Sequence, residues 1–189
     1  MNPDTFDFVH LTLFAMKNGI QGKTKLQKTV YFAGLLTQQL DNLGYHAHFY
    51  GPYTEDVAFA AGQLVAFGFA DTHTTAWGYD HRGFERFRTD YELNDAGILV
   101  AKQKAHKYPE LWAKIQESVE LLQKAGDQHY MKLSIAAKTH FLLGEKGGHA
   151  SKEQLAELAP EFGWDVSVDQ ITEAAQYLAS LDLVKVPDN

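Results

Sequence analysis

The sequence predicts a mainly α protein with small β hairpins, an α+β chain. It is read as a winged-helix-like N-terminal unit followed by a second helical, winged-helix-like C-terminal unit. Three observations predict it. Apolar residues recur at three- and four-residue spacing between capping residues and glycine stops along most of the chain. Phe69 to Leu93 holds two β-favouring arms around a polar, glycine-bearing tip. The order of helices then extended segment returns, shortened, in the last third.

The first helix is expected over residues 3–18. Pro3 suits a first helical position, Asp4 and Asp7 suit the positive end of the helix dipole, and Gly19 is a stop. Phe6, Val9, Leu13 and Met16 form its apolar face, with His10 beside it as a core-edge histidine. A second helix is expected from Thr24, as N-cap, to Asn42, with Leu26, Val30, Ala33, Leu36 and Leu40 inward. Lys23, Lys25 and Lys28 crowd its first turn, where cations oppose the dipole and hint at an acidic neighbour.

Tyr45 to Tyr50 alternates as a short strand, His46 and His48 to one side and Ala47 and Phe49 to the other, until Gly51-Pro52 breaks it. Thr54 caps the next helix, with Glu55 and Asp56 in its first turn and Gly68 at its end. The hairpin arms are Phe69–Trp77 and Phe84–Leu93, around a tip from Gly78 to Gly83, and Asn94 caps a helix to about His106. Pro109 opens a bridging helix that stops at Gly126, with Leu111, Ile115, Val119 and Leu122 on one face. The rest reads as a helix over about 130–143, a short helix from Ser151 and a helix capped by Ser167. Leu181 to Val186 is read as the first arm of a second wing. The expected divisions are 1–107 (winged-helix-like), 108–126 (bridging helix) and 127–189 (helix-turn-helix-like).

Composition narrows the chemistry. The 189 residues are 45% hydrophobic and 13% aromatic, enough to bury a core, and carry a formal net charge of −7. Both halves are acidic, so neither is a basic nucleic-acid module. With no cysteine there is no disulfide, zinc thiolate or cysteine nucleophile. Met1-Asn-Pro-Asp lacks a basic region followed by an apolar run, and no run approaches the roughly 20 apolar residues of a membrane span, so a cytoplasmic protein without a membrane partner is expected.

No nucleophile elbow, phosphate-cradling glycine loop or kinase signature is present, so no catalytic residue and no cofactor is assigned and the chain is read as non-enzymatic. His46 and His48 lack a third ligand at a suitable spacing, so no metal site is assigned. For DNA, the helix from Thr54 carries Glu55 and Asp56 and no cation, and the helix from Ser167 carries Asp169 and Glu173. Arg82, Arg86 and Arg88 in the wing, with His81, Lys102, Lys104 and Lys107, could contact phosphates without reading bases. A wing-mediated transcriptional regulator is therefore the alternative, disfavoured by acidic helices and by Asp80, Glu85 and Asp90 between the arginines.

Lys25-Leu26-Gln27-Lys28, then Tyr31-Phe32, an aromatic-rich segment, and Tyr50-Gly51-Pro52-Tyr53 before a helix together carry a resemblance. Residues 20–70 resemble the Panacea-type antitoxin domain and related uncharacterised prokaryotic proteins. The resemblance implies an interaction domain, in some members an antitoxin or proteolysis adaptor that holds a partner protein, a toxin among the candidates. The expected partner surface comprises Lys25, Gln27, Lys28, Tyr31, Tyr50, Pro52 and Tyr53, with Trp77 from the wing, since Tyr, Trp and Arg anchor interfaces. A homodimer is left open.

Overall fold

The structure, a computed structural model, describes residues 3–17, 19–79, 85–126 and 129–185. It is mainly helical, with a three-stranded antiparallel sheet. Among the described residues no helix is long and apolar enough to cross a membrane.

Helix α1 spans Thr5–Ala15, capped by Asp4, whose carboxylate accepts from the Asp7 amide at 2.8 Å. It is buried on more than the one expected face, because Phe8 to Leu13 are all enclosed. Strand β1, Ile20–Gln21, was not legible, since two residues carry no periodicity. Helix α2 spans Lys23–Leu36 and starts after Gly22, not at a Thr24 cap. It stops well before Asn42. Gln38 takes a left-handed φ of 59° and a separate 3-10 turn follows over Leu40–Leu43. The expected strand Tyr45–Tyr50 is absent: the segment is a loop whose one bridge pairs His46 with Tyr53.

Helix α3, Glu55–Ala66, is capped by Thr54 as expected. Strands β2, Ala70–Tyr79, and β3, Glu85–Leu93, form the expected hairpin, in register from Ala70–Leu93 to Ala76–Phe87. Strand β1 adds to the free side of β3, pairing Ile20 with Tyr91. Helix α4, Asp95–Lys107, starts at an Asn94 cap. It runs so close to the hairpin base that a Cβ on Gly97 would lie 1.9 Å from the Phe69 carbonyl oxygen. Helices α5 (Pro109–Lys124), α6 (Tyr130–Glu145), α7 (Lys152–Leu158) and α8 (Val168–Ser180) complete the chain. Ser151 with Gln154, and Ser167 with Gln170, close reciprocal capping boxes at α7 and α8.

No second wing arm follows α8 among the described residues. Leu181 turns into the helical core, with Leu183 and Val184 against it, so these side chains fill packing space instead of lining a strand.

Three apolar clusters hold the molecule. The largest gathers α1, α3, the sheet, Leu26, Val30 and Ala33 of α2, and Ile115 and Val119 of α5. The second joins Tyr31 and Phe32 of α2 to Leu122, Leu133, Ala137 and Leu178. The third surrounds Trp164 with Leu142, Leu155 and Ile171. Helix α2 therefore serves the cores on both sides of the bridging helix.

Candidate functional site

The loop from Gly44 to Thr54 lies where α2, α6 and the Trp164 turn converge. Its backbone makes little regular pairing of its own, so side chains must satisfy its carbonyls. Three do so on alternate residues. Trp164 Nε1 donates to the His48 carbonyl at 2.7 Å, Ser134 Oγ to that of Tyr50 at 2.6 Å, and Lys28 Nζ to that of Pro52 at 2.5 Å. Gln27 meets Thr54 twice: its Nε2 donates to the Thr54 carbonyl at 2.9 Å, and its Oε1 accepts from the Thr54 amide at 3.3 Å. The Tyr45 hydroxyl returns to the Gln27 carbonyl at 2.7 Å. The loop turns at Gly51, whose φ of 96° is a left-handed conformation that glycine adopts without a Cβ penalty. A Cβ there would also sit 3.1 Å from Lys138 Cγ and 3.4 Å from Lys28 Nζ.

Electrostatics beneath the loop are unusual. Lys28 is 1% exposed, and no carboxylate among the described residues pairs with it. Burial, and then the neighbouring Lys138 ammonium, push its amine down to about 7. Burial also lowers Lys138, which Asp165 partly offsets, and Lys138 Nζ lies 5.5 Å over the Trp164 ring. The Tyr31 hydroxyl meets His140 Nδ1 at 3.0 Å; burial raises the tyrosine and lowers the histidine.

Above this floor, two aromatic side chains face solvent. Phe49 is 69% exposed and Tyr50 58% exposed, their rings edge to face at 5.0 Å. Tyr53 is half-buried, tilted against His48 at 4.8 Å. His46 lies 3.8 Å from the Glu55 carboxylate at the start of α3.

The expected partner residues thus separate into two sets. Gln27, Lys28, Tyr31 and Pro52 are buried, which corrects their placement on a surface: they grip or pack the loop from within. Tyr50 is outward, Tyr53 is half-buried, and Lys25 is half-buried in the first turn of α2. Trp77 belongs to β2, and its side chain lies outside the described part of the structure. Of the wing cations, His81 and Arg82 lie outside the described residues, as do Asp80 and Phe84. Arg86 on β3 and Lys102 on α4 are exposed. Arg88 forms a two-pronged pair with Asp90 at 2.8 and 2.9 Å. Lys104 pairs with Asp7 at 2.7 Å.

Sequence reasoning missed Phe49, Ser134, Lys138, His140 and Trp164. Alternation placed Phe49 on one side with Ala47 without saying which side meets solvent, and only the i, i+4 spacing of Ser134 and Lys138 hints at a shared face on α6. Among the described residues no three metal-ligating side chains converge. No protein-family model matches the chain, and no curated protein matches it.

Proposed function

We propose that this chain is a non-enzymatic protein-interaction module of the antitoxin or adaptor kind, and that it meets its partner at the Gly44–Thr54 corner. One observation carries the reading: Phe49 and Tyr50 are held out to solvent by a loop whose carbonyls are fixed from below by Trp164, Ser134 and Lys28. A presented aromatic pair has already lost much of the freedom that binding would otherwise freeze, and aromatics dominate interface energies. The likeness of residues 20–70 to the Panacea-type domain supports the same reading, with a toxin among the candidate partners. The helix–hairpin order of the first half is compatible with a winged-helix unit used for protein contact.

A photo-crosslinking amino acid in place of Phe49 tests this in cells. The expected outcome is one dominant adduct, abolished when Tyr50→Ala is added. Absence of any adduct, with the protein folded by circular dichroism, overturns the reading.

The wing-mediated DNA reading rests on exposed Arg86 and Lys102. Against it, α3 exposes Glu55 and Asp56, and Arg88 is already paired with Asp90. A salt-sensitive duplex shift by the pure protein at low salt would favour it.

A further inference from the structure

The Lys28 amine is anomalous for its place. It is enclosed under Gly51-Pro52, and among the described residues the Pro52 carbonyl is its one hydrogen-bond acceptor. A neutral amine can be satisfied there by donating one hydrogen, whereas an ammonium brings three donors and a charge. The titratable groups around it supply no compensation. Helix α6 offers Lys138 and His140, α2 offers Tyr31, and the loop offers His48, Tyr45 and Tyr53; Asp165 acts on Lys138. A charge enclosed beside a like charge with no anion is released most cheaply by letting the covering loop lift and admit water.

We propose that Lys28 is a proton-operated catch on the Gly44–Thr54 loop: uncharged, it holds the Pro52 carbonyl and keeps the corner closed; charged, it favours an open corner in which Phe49 and Tyr50 are no longer held in place. The inference concerns the corner of the proposed interaction site but stands whether or not a partner docks there.

The direction follows from linkage. In the open, solvated loop the amine titrates near 10.5, and in the closed loop at about 7. Between those values the open form binds the proton and the closed form does not. Opening therefore grows as pH falls from 10.5 to 7, by up to tenfold per unit, and levels off below 7 where both forms are charged. Burial moves Tyr31 above that window and His140 below it.

Hydrogen exchange of the Gly51 and Tyr53 amides, which donate within the loop to His48 and His46, reads the opening directly. Rates are divided by those of a free peptide of residues 44–54 at each pH. The expected result is a rise in the opening constant of about 50-fold from pH 9 to pH 7. In Lys28→Met the rise disappears. In Lys138→Gln, which removes the like charge and leaves Lys28 in place, it shrinks. An unchanged slope in both variants overturns the proposal. So does a slope shared equally by core amides of α1 and α3, which would place the proton effect on global unfolding. The readout needs no partner, so its failure and the failure of the crosslinking experiment are distinct.

Discussion

His10 shows what a single buried polar residue does to this fold. Its ring is fully enclosed, and Nε2 meets the Gly97 carbonyl at 2.9 Å. Since a carbonyl only accepts, Nε2 carries the hydrogen, and Nδ1 is a bare lone pair with no partner among the described residues. Burial, then the nearby Lys104 ammonium, hold the ring down to about 4, against the ordinary 6.5 of an unfolded chain. Between those values only the unfolded chain takes the proton. The contribution is therefore complete above pH 6.5, declines as pH falls towards 4, and is flat below. Urea midpoints should fall across that window. His10→Leu should remove that part of the fall while costing about 1–3 kcal/mol at pH 7 through the unpaired Gly97 carbonyl. A variant with the same pH slope as the parent would show that His10 is not its source. The sequence placed this histidine at the edge of the core; its contact with Gly97, 87 residues away, was invisible to local pattern.

At the scale of elements, the helices were largely legible and the corner was not. Thr54, Asn94, Ser151 and Ser167 cap helices because short oxygen-bearing side chains satisfy amides two or three residues on, a purely local effect. The hairpin was equally local. The segment Tyr45–Tyr50 alternates like a strand, yet its His48 and Tyr50 carbonyls are claimed by Trp164 and Ser134, and its pairing is limited to the one bridge between His46 and Tyr53. The resemblance put Lys25, Gln27 and Lys28 on a partner surface; here Gln27 and Lys28 face the loop. Gln27 stands in for a strand at Thr54, the residue that also caps α3. Gln27→Ala should cost about 1–3 kcal/mol, because it leaves the buried Thr54 amide without its acceptor and takes one donor from the Thr54 carbonyl. At about 2–4 °C per kcal/mol in a chain of this size, that is a readily measured fall in Tm. An unchanged Tm would mean that water replaces the glutamine without loss.

For the whole molecule, the reading into 1–107, 108–126 and 127–189 followed glycine and proline punctuation. The packing adds what punctuation leaves out. Helix α2 contributes Leu26 and Val30 to the first core and Tyr31 and Phe32 to the second, so neither core is complete without it. Trp164, from the last third, both centres the third cluster and holds the His48 carbonyl of the first half. Unfolding should therefore be one transition. Far-ultraviolet dichroism and Trp164 fluorescence, with Trp77 and Trp112 replaced by Phe, should give superimposable urea curves. A fluorescence midpoint well below the dichroism midpoint would show that the C-terminal third melts by itself.

The grip of Trp164 on His48 also sets an order in time. The two residues are 116 positions apart, and Ser134 stands 84 positions from Tyr50. A chain made from its N-terminus exposes the corner long before either donor has left the ribosome, at about 5–20 residues per second. For several seconds of synthesis the Tyr50 carbonyl lacks Ser134 and the His48 carbonyl lacks Trp164, with only the local Gly51 amide to meet His48. The corner is then among the last parts of this protein to take its shape, and Phe49 and Tyr50 pass through the early life of the chain on an unfastened loop.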